Sequence, residues 1–483
     1  MKFNITVENF VNYLTKLSYV IPSRSALPIL ENVLFELKGN ELTLQATDLE
    51  NFIRVKVPVE GHEDGECAIP AKKLLDLLRL LVAKYDNIVV ETEFNSDDYD
   101  LLNKEGNLYE LLKGKITYIY KTKSLVFTGV FENEVRLSLL EKLGNNQQIY
   151  INEGKHELAS ANEKLKNAIE KLYEKNESTL SKLMTKKKIK FETNEKGKVT
   201  ITSSNGKYSF FGQSTEDFPS IEDKNQLESI RIKDTTLRRI ISKVRHAVSM
   251  EETKRNMTGI LFDIRKDELR FVSTDGFRLS KFSLRDYETT EIKESKIIVA
   301  LKAADIITKL IGREESTIEY DETLIKLSTD TTEFYSKLIE DTFPNYETVI
   351  PKSNDKKLKV SRTDFLNSLK RASIFVDPAT KRVKFEIKNS TINIKADNPE
   401  IGADVEEVID CNFISLEDNE ADFDKNPFSI SFNVHYLIDC FSVLESPEIL
   451  MTFSSPSKAC VITPSVQENN EDYMELVMPV RVG

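Results

Sequence analysis

The sequence predicts an α+β fold in which one unit of helix, hairpin, helix and strands is written three times, with a long insertion in the first copy. Three observations predict it. The hairpins share one internal spacing, the segments flanking them share a helical period, and the distances between copies differ by a single block of residues.

The hairpins are "VLFELKGNELTLQATD" (33–48), "ILFDIRKDELRFVSTD" (260–275) and "VKFEIKNSTINIKADN" (383–398), aligned on Phe35, Phe262 and Phe385. In all three, 13 residues separate the phenylalanine from Asp48, Asp275 or Asn398. Each alternates apolar and polar residues, crosses a charged or Gly/Asn turn, and alternates again, as a hairpin with one buried face does.

Ahead of each hairpin lies a segment with apolar residues three and four apart: "VENFVNYLTKLSYVI" (7–21), "KDTTLRRIISKVRHAV" (233–248) and "SRTDFLNSLKRASIFV" (361–376). Ser361 and Asp234 are of the type that starts helices. Behind each hairpin lies a second such segment: "AKKLLDLLRLLVAK" (71–84), "ALKAADIITKLIGR" (300–313) and "FNVHYLIDCFSVL" (432–444). The copies close on strands and a proline: "DFPSI", "TFPNYETVIP" and "VMPVRV".

From Phe35 to Phe262 is 227 residues, from Phe262 to Phe385 only 123, and the difference of 104 falls between about 83 and 187. Removing it leaves 379 residues, near 126 per unit. The expected domains are 1–226, interrupted at about 83–187, then 227–352 and 353–483. The insertion carries a strand-like run, "KITYIYKTKSLVFTGVF" (115–131), and a charged helical stretch over 155–188. About a hundred residues suffice for a small domain, and a peripheral module is expected there.

Forty per cent hydrophobic residues and 26 phenylalanines exclude wholesale disorder. The cysteines (Cys67, Cys411, Cys440, Cys460) and histidines (His62, His156, His246, His435) are scattered, with no zinc-ligand spacing, so no metal or cofactor is expected. No signal pattern opens the chain and no run of 18 apolar residues occurs, the marks of a soluble, cytoplasmic protein with no membrane role. An enzyme finds no support: there is no GxSxG elbow, and Gly206–Lys207 is followed by Tyr208 rather than a phosphate loop's Ser or Thr.

The net charge is −12, yet the six repeated helical segments sum to +10, leaving −22 for the rest. Two readings stay open. The cations are the solvated faces of amphipathic helices, or they form a basic surface that contacts phosphates.

The unit order, "SRSALPILENVLFEL", "TDLE", "TDGFRLS", "FPNYETVIP", "FNVHYLID" and "VMPVRV" together resemble the bacterial DNA sliding clamp, the beta subunit of DNA polymerase III. The resemblance covers the chain outside the insertion. It implies a non-catalytic processivity factor: two three-domain chains joined head to tail in a ring, helices lining the inside and antiparallel sheets outside. The implied partners are double-stranded DNA, the replicative polymerase's catalytic subunit, the clamp loader, clamp-motif repair and ligation proteins, and a second copy of the chain. A three-repeat interaction scaffold that never loads on DNA is the rival reading.

Residue by residue, the resemblance places DNA contacts at Arg24, Lys72 and Lys302, with Lys254 and Arg255 matching in position. Arg238, Arg239, Lys243, Arg245, Lys309, Lys370 and Arg371 join them on charge and helix placement. It implies a peptide pocket of Thr274, Gly276, Phe277, Arg278, Leu279, Pro344 and Val349, completed by Asn433, Tyr436, Leu476, Val477, Met478, Pro479, Val480 and Arg481. An apolar groove with a few polar groups suits an extended peptide, although Leu279, Val349 and Met478, taken without the resemblance, read as ordinary core residues. Phe277 stands where the family usually has histidine, and "RVG" ends one residue beyond the usual finish. Tyr208, Phe210, Ile374 and Phe375 fall where the family's ring interface lies.

Overall fold

The computed structural model describes residues 1–82, 88–91, 101–102, 116–119, 124–127, 143, 151, 155–184, 188–204, 206–221, 227–285, 287–289, 294–312, 315–415 and 422–480. They form two compact units: Met1–Ser18, Ser23–Leu44 and Val57–Phe218 in one, Tyr19–Pro22, Gln45–Lys56 and Pro219–Gly483 in the other.

In the first unit, α1 (Val7–Leu17) and α2 (Ala71–Leu81) pack together. A five-stranded antiparallel sheet runs in the order Gly206–Phe211, Lys198–Ser203, Lys188–Thr193, Lys2–Thr6, Glu60–Glu63. Phe10 of α1 sits edge-on to Phe3, Phe35 and Phe191 at centroid distances of 6.1, 5.9 and 6.3 Å, and Phe35 stacks on Phe191 at 5.5 Å. The repeat's first phenylalanine therefore joins helix to sheet. Within the insertion, Ile88–Glu91, Ser124–Phe127 and Ile116–Ile119 form a three-stranded antiparallel sheet beside a long helix, α3 (His156–Met184). The strand-like run and the charged helix thus fall close to where the sequence expects them.

In the second unit, α4 (Asp234–Val244) packs on α5 (Leu301–Leu310), and α6 (Arg362–Ala372) on α7 (Val434–Val443). Their sheet is 12 strands wide: Ser295–Ala300, Gly259–Ile264, Leu269–Thr274, Arg278–Leu284, Glu471–Val477, Cys460–Pro464, Glu448–Phe453, Lys356–Ser361, Ala403–Ser415, Thr391–Asn398, Arg382–Ile387, Phe428–Asn433. The second and third copies meet in it without a break, along an antiparallel register running from Arg278↔Val477 to Leu284↔Glu471. Phe262 and Phe385, like Phe35, are fully buried.

The 13-residue spacing places the same turn in each copy. Asp48 Oδ1 accepts from the N–H groups of Glu50 and Asn51 at 3.1 and 2.6 Å, Asp275 Oδ1 from those of Phe277 and Arg278 at 2.9 and 3.0 Å, and Asn398 Oδ1 from that of Glu400 at 3.2 Å. These are turns closed by an Asp or Asn side chain. The following residue is left-handed in the first two, Leu49 at φ 78° and Gly276 at φ 91°; glycine adopts this freely, whereas leucine does so at a steric cost.

The start signals divide. Ser361 caps α6, its Oγ accepting from the Asp364 N–H at 3.4 Å. Asp234 does not cap: Lys233 holds that position, and buried Asp234 accepts from the Gly312 N–H at 2.7 Å instead, tethering the end of α5. No helix among the described residues is long and apolar enough to cross a membrane.

Candidate nucleic-acid and peptide sites

The twelve candidate cations separate by what they already hold. Arg238 donates to the carbonyls of Thr308, Ile311 and Gly312, closing the C-terminal end of α5, where a cation meets the negative end of the helix. Arg239 forks onto Glu471 and lies 5.5 Å from the Phe282 ring centroid. Lys243 is buried, 2.9 Å from Glu445 and 5.1 Å from the Tyr473 ring. These three serve packing. Arg245 pairs with Asp305 at 2.8 Å, Lys254 with Glu251 at 2.9 Å, Lys302 with Asp48, and Arg371 with Glu407. Exposed pairs of this kind contribute little and exchange readily for another anion.

Arg24, Lys72, Arg255, Lys309 and Lys370 are exposed and have no ion pair among the described residues. Lys309 lies 5.1 Å from the Tyr19 ring. They come from all three copies. The seven cations added on charge and helix placement could not be sorted from sequence, because helical period identifies a face but not a bonding partner.

The pocket candidates cluster where the second and third copies meet. Leu279 and Leu476 pair across the strands and are buried with Leu261, Ile298, Phe343, Tyr346 and Met474. A cleft of about 460 Å³ opens beside this cluster, lined by Leu261, Ile298, Phe343, Pro344, Tyr346 and, among its polar groups, Lys296 and Asp341. Phe277, Val349 and Met478 are large apolar side chains exposed at 53%, 51% and 38%. Phe277 lies 5.7 Å from the Lys254 ammonium, and its carbonyl accepts from the Met478 N–H at 2.8 Å.

Several candidates build the frame. Thr274 Oγ1 donates to the Arg278 carbonyl and accepts from the Gly276 N–H. Asn433 caps α7, Val477 is wholly buried in the ladder, and Val480 donates to the Ser431 carbonyl. Pro479 is half-buried, and Arg481 lies outside the described residues. Arg278 bonds Asp275 at 3.0 Å and Asp439 at 2.6 Å and covers the Tyr436 ring at 4.6 Å. It thus locks the turn of the second copy to α7 of the third.

The sequence missed Leu261, Ile298, Phe343, Tyr346, Lys296 and Asp341 as lining, though "FPNYE" held two of them. Tyr346 anchors that segment: its hydroxyl donates to Asp263 at 2.7 Å and accepts from Arg265 and Arg270 at 3.1 Å each. Burial works to raise the Asp263 carboxyl, but Arg265 and Tyr346 outweigh it and hold it below the usual carboxylate range. Burial first, then Asp263 against the opposing pull of Arg270, pushes the Tyr346 phenol up to about 12.

Because the Asp263 carboxyl titrates lower when folded than unfolded, its contribution is present above the ordinary carboxylate range and fades as pH falls through its folded value. Tyr346→Phe is expected to lose about 1–3 kcal/mol at neutral pH, for a buried acceptor left short of a donor. The gap between the wild-type and variant urea midpoints should narrow as pH drops below about 4; a gap that widened would contradict this network.

Tyr208 and Phe210 are half-buried on Gly206–Phe211, the edge strand of the first unit's sheet, and Phe211 is 67% exposed. Ile374, in the turn after α6, is 74% exposed and Phe375 half-buried. An edge strand presents unpaired backbone groups to a partner.

Comparison with known proteins gives one answer. Models of the DNA polymerase III beta subunit match at its N-terminal domain over residues 1–109, its central domain over 231–345 and its C-terminal domain over 347–481. The beta sliding clamp of Rickettsia felis is 31% identical over 291 residues, spanning 58% of this chain and 74% of that protein. The beta sliding clamp of Vibrio cholerae is 22% identical over 485 residues, covering both in full. Crystal structures of the subunit from Pseudomonas aeruginosa and Thermotoga maritima match with TM-scores of 0.72 and 0.70, at 21% and 19% identity, over the whole of each chain.

Proposed function

The chain belongs to the DNA polymerase III beta subunit family, the beta sliding clamps, and on that premise we propose that two copies close around duplex DNA and tether a polymerase to it. The fold is the three-domain clamp fold. The domains divide at 1–226, 227–352 and 353–483, with the insertion at about 83–187 outside the repeated frame.

One observation carries the reading of mechanism: every copy contributes an exposed cation without a carboxylate partner among the described residues, Arg24 and Lys72 in the first, Arg255 and Lys309 in the second, Lys370 in the third. Contacts of this kind neutralise phosphates without reading bases. Binding that is weak at each contact but closed in topology leaves a ring free to slide. The exposed pairs at Arg245, Lys254, Lys302 and Arg371 can exchange their carboxylates for phosphates as the duplex passes.

Extended segments of the polymerase's catalytic subunit, the loader and repair or ligation proteins dock on the exposed Phe277, Val349 and Met478 and in the cleft that Phe343 and Pro344 help to line. The ring closes head to tail, Tyr208 and Phe210 on the edge strand of one copy meeting Ile374 and Phe375 of the other. The protein performs no catalysis and works in the cytoplasm, where the DNA is.

Retention on DNA tests this. Loaded on a nicked circle, the protein is expected to stay bound through gel filtration and to leave once the circle is cut, and light scattering should give twice the 55.3 kDa chain mass. Equal retention on circles and linear DNA would show that binding is not topological.

A further inference from the structure

Three side chains that the clamp reading does not use converge inside the second unit. His246 follows α4, Cys440 lies in α7, and Glu475 is in the last strand of the sheet. Cys440 and Glu475 are fully buried, and the His246 side chain is 11% exposed. His246 Nε2 lies 3.4 Å from Glu475 Oε2 and 3.8 Å from Cys440 Sγ, and Sγ lies 3.6 Å from the same oxygen.

Those spacings are what one small cation imposes. Zinc bonds of about 2.0 Å to nitrogen or oxygen and about 2.3 Å to sulfur, set tetrahedrally, place the ligand atoms about 3.3–3.6 Å apart. We propose that His246, Cys440 and Glu475 are three ligands of a zinc-type divalent cation, which braces the second copy against the third. Water takes the fourth position.

The surroundings fit such an ion. Glu475 Oε1 accepts from Ser280 Oγ at 2.9 Å and from the Tyr473 hydroxyl, which turns Oε2 toward the other two ligands, as outer partners of metal ligands do. Among the described residues, the polar contacts of the His246 ring are made by Nε2, with Cys440 and Glu475. A neutral imidazole, a thiolate and a carboxylate carry two negative charges, which a divalent cation cancels where uncompensated charge is costly. On binding, the Cys440 thiol releases its proton to solvent. Sulfur and nitrogen together select zinc or cobalt over magnesium or calcium. The site adjoins the Arg278–Asp439 pair, because Asp439 precedes Cys440 in α7.

The test uses the full-length protein stripped with a chelator and titrated with Co²⁺. One Co²⁺ per chain is expected, with the near-ultraviolet thiolate charge-transfer band and the strong visible bands of a four-coordinate ion. Zn²⁺ should abolish both and raise the melting temperature. Cys440→Ser should lose the charge-transfer band and His246→Gln should weaken binding. A chain with Cys67, Cys411 and Cys460 all changed to Ser should keep the band, so the assignment stands even where Cys440→Ser does not fold. A wild-type protein with no charge-transfer band, or with a melting temperature indifferent to Zn²⁺, would overturn the proposal. The cluster would then be an imidazolium–carboxylate pair beside a thiol. Persistence of the band in folded Cys440→Ser would overturn it equally.

Discussion

Truncating Phe262 to alanine is expected to destabilise the second unit by about 3–5 kcal/mol, the range for a fully buried phenylalanine in a packed core. Phe262 has no exposed surface and its ring lies 4.6 Å from that of Phe271. Phe385 holds the same place in the third copy, 5.3 Å from Phe365 of α6 and 5.7 Å from Phe432. Phe385→Ala should therefore cost a similar amount. Urea unfolding followed by circular dichroism reads both, as a shift in the transition of that unit because a chain of two units need not unfold in one step. A loss under about 1 kcal/mol at either position would mean that the core closes around the gap, and that the shared spacing does not mark a shared core.

The second large effect concerns DNA. Arg24→Ala with Lys72→Ala removes two exposed cations that pair with no carboxylate among the described residues. If both touch phosphates, the slope of log affinity against log salt should flatten by roughly 1.8, about 0.9 for each contact. At 0.1 M salt that corresponds to roughly a hundredfold weaker duplex binding, with no change in sequence preference. Lys243→Ala is the control. Its buried ammonium is held by Glu445, so its loss should lower stability and leave the salt slope alone. An unchanged slope in the double variant would favour a scaffold that does not bind DNA.

The repeat was legible because it is written in local chemistry. Alternation, a turn residue 13 positions on and a helix on either side are all visible within one copy, and the structure builds each from those residues. Helix ends were less legible: Asp234 has the right chemistry for a cap but accepts from Gly312, whose closeness no local pattern records. The cations show the same limit. Arg239 and Arg255 look alike in sequence, yet one is forked onto Glu471 and the other is exposed with no ion pair among the described residues. Least legible was the cluster of His246, Cys440 and Glu475. Scattered cysteines and histidines argued against metal-ligand spacing, and that reading is sound only for ligands close in the chain. His246 and Cys440 are 194 residues apart, and folding alone brings them together.

The unbroken sheet has a mechanical consequence. Seven residue pairs in register join Arg278–Leu284 to Glu471–Val477, and the Arg278–Asp439 pair ties the same junction from the side. Bending there would tear several ladder bonds together, so the second and third copies behave as one stiff beam rather than as two pieces on a hinge. A ring made of such beams cannot admit a duplex by flexing at this junction.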